Sequence, residues 1–107
     1  KATLVNNIYG PRAYLVIVVS ISDRQKFLSG YAPVTAGLVE KFGGRYLLRA
    51  PGAQILEGSL RPGSSVVVSE WPDKAAALRF WNSPEYQAAK QLREGIAEAQ
   101  VVLVEAP

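Results

Sequence analysis

Apolar positions in this chain follow two rhythms, and the rhythm changes wherever turn residues gather. From Arg12 to Ile21 the run RAYLVIVVSI is apolar, aromatic and β-branched at consecutive positions instead of alternating, which predicts a strand buried on both faces. Helix-start residues follow. Ser22 with Gln25 fits a capping box, and Asp23 is an equally good N-cap. Phe27, Tyr31, Val34, Leu38 and Phe42 then recur at intervals of four, three, four and four, the spacing of one helix face, and Gly43-Gly44 closes that helix. Pro33 inside it predicts a kink.

Beyond the glycines the strand rhythm returns. RYLLRA predicts a second strand, Pro51-Gly52 breaks it, and AQILEG continues as a short strand or hairpin arm. Arg61-Pro62-Gly63-Ser64 is a turn, and SVVVSEW, Ser65 to Trp71, is the next strand. Pro72 stops it and Asp73 caps a helix over Ala75 to Trp81. Asn82-Ser83-Pro84 interrupts that helix; Ser83 then caps a second piece running to about Ala99, which presents Tyr86, Ala89, Leu92 and Ile96 to a core. QVVLVE, Gln100 to Glu105, is the last strand. Residues 1–11, ending in Gly10-Pro11, are expected to form an N-terminal arm, and residues 12–107 a single domain.

The element order predicts an α+β fold, a ferredoxin-like βαββαβ sandwich with a four-stranded antiparallel sheet and its helices on one face. Leu15 to Val19, Val66 to Val68 and Val101 to Val104 are apolar at consecutive positions, so the other face also needs cover. A second copy packed face to face about a twofold axis supplies it, giving a homodimer built as a dimeric α/β barrel. A cleft between each sheet and its helices is then the natural place for a small molecule.

Composition narrows the chemistry. Of 107 residues 49% are hydrophobic, enough for one core, and there is neither cysteine nor histidine. That removes disulfides, thiolate metal sites and the usual hydrolase triads, so no metal site is expected. Net charge is +3, but no Lys/Arg-rich run marks a nucleic-acid arm, and nucleic acid is not an expected partner. The longest nearly apolar stretch, Ala13 to Ile21, is too short to span a bilayer, so no membrane association is expected. The chain begins at Lys1 and lacks methionine, so its natural start is expected to lie outside this sequence; the expected location is cytoplasmic.

AYLVIVVSISD, KFGGRYLLR, ILEG followed by RP, SPEYQAAKQLR and VVLVE, in this order over roughly residues 12 to 105, resemble the bacterial family known as domain of unknown function 1330. The resemblance implies membership of the dimeric α/β-barrel superfamily, whose relatives include cofactor-free monooxygenases, muconolactone-isomerase-like enzymes, dye-decolourising peroxidases and stress-responsive barrels. It implies no settled activity. Gly52-Ala53, Ser59-Leu60, the stretch Gly63 to Ser65, which lacks an arginine common there, and Trp81 depart from the family's usual pattern.

Six kinds of residue carry candidate chemistry. Arg45 and Arg49, four apart on one strand, are expected to point to the same side, either to grip a carboxylate or phosphate or to pair with Glu57, Glu70 or Glu105. Asp23 at the end of the first strand is either a general base or simply an N-cap. Glu70, a carboxylate in an otherwise apolar strand, needs a partner and is either catalytic or ion-paired. Tyr14, Tyr31, Tyr46 and Tyr86, with Trp71 and Trp81, wall a pocket or fill a core. Ser83 belongs with Tyr86 to the SPEY motif, where helix capping competes with a functional role, and Gly43-Gly44 closes a helix and is no phosphate loop.

Two functions compete. One is a cofactor-independent small-molecule enzyme, monooxygenase or isomerase-like, in which Arg45 or Arg49 anchors a small organic anion, Glu70 or Asp23 moves the proton, and Tyr14, Trp81 and Tyr86 line the site. The other is a non-catalytic ligand-binding or stress-response dimer. A structural partner module is a minor third. No cofactor is expected; haem, which the superfamily raises, finds no histidine ligand here.

Overall fold

The computed structural model describes residues 11–107. The arm expected over residues 1–11 therefore lies, except for Pro11, outside the described residues. Four strands, β1 (Arg12–Ile21), β2 (Arg45–Ala50), β3 (Ser65–Trp71) and β4 (Ala97–Ala106), pair antiparallel in the order β2-β3-β1-β4. Helices α1 (Arg24–Ser29) and α2 (Tyr31–Lys41) connect β1 to β2, and α3 (Lys74–Asn82) and α4 (Pro84–Lys90) connect β3 to β4. This is the expected ferredoxin-like α+β fold. Among the described residues no helix is long and apolar enough to cross a membrane.

Register decides what each face of the sheet offers. One transverse row runs Tyr46, Ser69, Leu15, Leu103 and a second runs Arg49, Val67, Ile17, Val101; these face the helices. The core is built there from Ala13, Leu15, Val39, Trp71, Phe80 and Tyr86, all buried. On the opposite face the rows run Leu48, Val68, Val16, Val102 and Ala50, Val66, Val18, Gln100. Both faces of β1 and β3 are thus apolar, but in the single chain only one is covered.

The connection from β1 to β2 departs from the expected single kinked helix. Asp23 caps α1, its Oδ1 accepting from the Lys26 amide at 3.1 Å. The break comes at Gly30, whose backbone (φ −115°, ψ −81°) leaves the helical region, and not at Pro33. Pro33 sits in the first turn of α2, where a missing N–H leaves no helical bond unmade. The break resets the helical phase: Thr35 and Val39 are buried, whereas Val34 is 46% exposed.

The second connection is shorter than expected. Ser83 caps α4, accepting from the Tyr86 amide at 3.0 Å and donating to the Phe80 carbonyl at 2.8 Å. After α4 the chain makes one 3-10 turn, Gln91–Arg93, and turns at Gly95 (φ 79°) into β4, which starts at Ala97 instead of Gln100. Pairing with β1 out to Ile21↔Ala97 claims those residues from the helix, and Leu92, expected in the core, is 47% exposed. The strand expected over AQILEG does not form. Residues 51–64 are an irregular connection, closed by the Ala53 amide donating to the Ser64 carbonyl at 2.7 Å.

Candidate functional site

Between the inner sheet face and the helices lies a cavity that offers about 90 Å³ to the centres of water-sized molecules. That is room for several waters or a small organic group. Its floor is aliphatic, from Leu15, Ile17, Val19, Val67 and Val101, and its helical walls are aromatic, from Phe27, Tyr31, Phe80, Trp81 and Tyr86. Polar groups enter at few points: Thr35 from α2, Tyr46 and Arg49 from β2, Ser69 from β3 and Arg93 from the 3-10 turn. None of the lining residues is acidic.

These polar groups are arranged around phenols. The hydroxyls of Tyr31 and Tyr86 lie 2.7 Å apart, and the Trp81 ring stacks at 5.0 Å, centroid to centroid, on Tyr86. Burial, reinforced by Tyr31, pushes the Tyr86 phenol well above its ordinary range. Burial first and Tyr31 second push Tyr46 up to about 12, against the opposing charge of Arg49. The Arg49 guanidinium lies over the Tyr46 ring at 4.4 Å and that of Arg93 near the Tyr31 ring at 5.5 Å. Burial opposes the charge on Arg93, but the oxygens of Tyr86 and Tyr31 outweigh it and hold the guanidinium more firmly protonated than usual. The cavity is therefore electropositive and rich in neutral O–H groups, a setting for an anion and not for a cation.

The residues singled out from the sequence separate into two groups. Arg49, Tyr86 and Trp81 come together in the cavity. Arg45 does not. The β2–β3 register shifts between Tyr46 and Leu48, so Leu47 is an extra residue, and the bulge puts Arg45 and Arg49 on opposite faces. Arg45 instead pairs with Glu70, Nε to Oε1 at 2.9 Å, on the outer face. Tyr14 joins them there, its hydroxyl donating to Glu70 Oε2 at 3.1 Å, and Arg12 Nε stands 4.0 Å from the same oxygen. Glu70 is thus an ion-paired carboxylate across the sheet from the cavity. Asp23 caps α1 and does not line the cavity either.

Arg93 and Thr35 belong to the site without having been singled out. Arg93 follows a helix and carries no spacing signal, and Thr35 lies one position beyond the expected face of α2. Only a helix break placed at Gly30 would have turned Thr35 inward on paper. Tyr31 and Tyr46 were legible as aromatic candidates and do line the cavity. Among the described residues no cluster of three or more His, Cys, Asp or Glu side chains is placed to hold a metal ion.

Comparison with known proteins adds a family and a fold. No curated protein sequence matches the chain. A protein of unknown function from Rhodopseudomonas palustris superimposes with a TM-score of 0.74 at 14% identity, over 100% of this chain and 93% of the other. SnoaB, a cofactor-independent oxygenase from Streptomyces nogalater, matches with a TM-score of 0.68 at 16% identity, over 92% of this chain and 95% of its own. A dimeric protein of unknown function with a ferredoxin-like fold from Bacteroides fragilis matches with a TM-score of 0.52 at 13% identity, over 89% and 96%. At such identities the likeness establishes the fold alone. The sequence itself goes further: residues 12–107 match the domain of unknown function family DUF1330, and the chain belongs to that family.

Proposed function

We propose that the protein is a cofactor-independent enzyme of the oxygenase type, acting on a small organic anion held between the sheet and the helices. The observation that carries this reading is the cavity's make-up: two guanidiniums, three phenols and no carboxylate, enclosed by aliphatic and aromatic walls. Such a site favours the ionised form of a bound acid, enol or phenol over its neutral form, because two positive charges and several O–H donors line it. An ionised, electron-rich carbon is what reacts with oxygen without a cofactor. The carbanion forms a C–O bond to O2, protonation gives a hydroperoxide, and loss of water across the same carbon leaves a ketone. One CH2 and one O2 become one C=O and one H2O, the substrate supplying all the electrons. The likeness in fold to SnoaB supports this reading.

Glu70 and Asp23 have no part in that step, since neither lines the cavity. Lowering of the substrate's own pKa by Arg49 and Arg93, with water as the proton acceptor, takes the place of a side-chain base. The protein in this reading is a homodimer joined through the outer sheet face, supported by the apolar rows there.

The lack of an acidic residue in the cavity also favours a second reading, a non-catalytic ligand-binding dimer. Oxygen uptake separates the two. The metal-chelated protein is given phenols and β-dicarbonyl compounds carrying an oxidisable CH2, while an electrode follows O2 and mass spectrometry follows the product. Uptake matched one to one by ketone formation supports the oxygenase; binding of these compounds without uptake leaves the ligand-binding dimer.

A further inference from the structure

We infer that Arg93 and Thr35 form a carboxylate subsite within the cavity, and that its ligand is a small organic acid with a planar, apolar body. This rests on the cavity being the binding site proposed above. Among the described residues two buried side-chain atoms lack a hydrogen-bond partner, Thr35 Oγ1 and Arg93 Nε, and both residues line this one cavity. An unpaired buried polar atom is costly, and native structures hold few of them. One alone is an accident of packing. Two, on residues from separate elements, α2 and the 3-10 turn, that line the same cavity, point to a missing partner.

Thr35 is only 6% exposed. A threonine inside a helix commonly turns its hydroxyl back to the carbonyl one turn earlier, but this one does not. Its O–H is left without an acceptor among the described residues. The partner of Arg93 must be an acceptor, since a guanidinium has no lone pair to offer. Nε–H and an Nη–H on the same edge form a two-pronged donor that matches the two oxygens of a carboxylate.

Charge and walls select the rest of the ligand. No acid lines the cavity, so the ligand brings the negative charge that Arg93 lacks. The walls beside it are Phe27, Tyr31 and Trp81 over an aliphatic floor, which suit a flat hydrocarbon body.

Titration calorimetry of the full chain tests the subsite with two acids, benzoate and phenylacetate, against their amides, benzamide and phenylacetamide. The acids are expected to bind at least about tenfold more tightly than the amides, the discrimination of one charge-assisted hydrogen-bonded contact. Arg93→Gln should weaken the acids more than the amides and so remove most of that difference, and Arg93→Lys should restore only part of it, keeping the charge without the fork. Thr35→Val keeps the side chain's shape, so its folding is secure, and it should weaken acid binding by about threefold or more. Acids and amides that bind alike, or acid affinities untouched by Arg93→Gln and Thr35→Val, overturn the subsite while the cavity stands as the binding site. If none of the four compounds binds, the subsite and the cavity's binding role fall together.

Discussion

Tyr31 and Tyr86 meet hydroxyl to hydroxyl at 2.7 Å, one on α2 and the other on α4, so this hydrogen bond joins the two helical connections beside the cavity. Tyr86 is 2% exposed, and its ring also packs on Phe80 at 4.6 Å. Tyr86→Phe keeps the packing and strands the Tyr31 hydroxyl in a partly buried place. The expected cost is about 1–3 kcal/mol, read as a lower urea midpoint with an unchanged m-value. An unchanged midpoint would show that water takes over the bond without loss.

The raised phenols give stability a pH dependence of known sign. Tyr46 ionises at about 12 in the folded protein, and Tyr86 is shifted the same way, whereas an unfolded tyrosine ionises near 10. Below pH 10 both states keep these protons and the contribution is complete. Above it the unfolded chain releases protons that the folded chain retains, so stability falls as pH rises from 10 through about 12. Tyr46→Phe removes one of these groups, and its denaturation midpoint should therefore fall less steeply than the parent's between pH 10 and 11.5. Parallel curves for the two proteins would refute the assignment.

Gly44 lies flat against Trp71. A Cβ there would stand 2.8 Å from three atoms of the indole, which is fully buried, bonded through Nε1 to Ser69 Oγ at 3.0 Å and stacked on Phe80 at 4.8 Å. The ring has nowhere to go, and Gly44→Ala should cost about 1–3 kcal/mol in denaturant unfolding. Gly37, on the exposed side of α2 with open space around it, is the contrast: Gly37→Ala should stabilise by about 0.5–1 kcal/mol. Equal effects at the two positions would contradict this reading of the contacts.

Glu70 separates stability from binding. It accepts from Tyr14 and Arg45 and lies near Arg12, with its side chain only 12% exposed. Glu70→Gln weakens both contacts and leaves two guanidiniums without their counter-charge, an expected loss of about 1–3 kcal/mol. Because the cavity is on the other face, affinity for a ligand bound there should change by less than about twofold. A large loss of affinity with unchanged stability would return Glu70 to the site.

The fold was legible because β-branched runs and a helical spacing alternate in one order that few architectures satisfy, and the caps at Asp23, Asp73 and Ser83 sit where their residue types say they should. The site was legible only in part. Arg45 and Arg49 obey a period of two until one inserted residue reverses it, and nothing in RYLLRA announces the bulge, which shows only in the pairing with β3. Thr35 was hidden by Gly30, which stops the helix more firmly than Pro33 because proline in a first turn breaks no bond. Arg93 reaches the cavity through tertiary placement of a turn, which local pattern does not encode.

One row of side chains crosses the whole outer face: Leu48, Val68, Val16 and Val102, one from each strand in register. In the single chain Leu48 is 44% and Val102 54% exposed, and Val104 beside them 41%. Continuous apolar surface of this kind is costly in water and marks an interface. The next row, Val104, Tyr14, Glu70 and Arg45, turns polar towards β2, so the apolar area is bounded at one end by an ion-paired rim. A rim of fixed charges beside an apolar stripe suits a face-to-face twofold partner, since each copy then meets the same stripe. A twofold interface feels any substitution twice, and Val102→Asp places an unpaired carboxylate in each half of it. The parent protein is expected to sediment at twice the 11.6 kDa chain mass and Val102→Asp at the chain mass, with its far-ultraviolet circular dichroism retained. Sedimentation of the parent as a monomer at concentrations of about 100 μM, where even a weak dimer is populated, would leave the stripe uncovered and refute the homodimer.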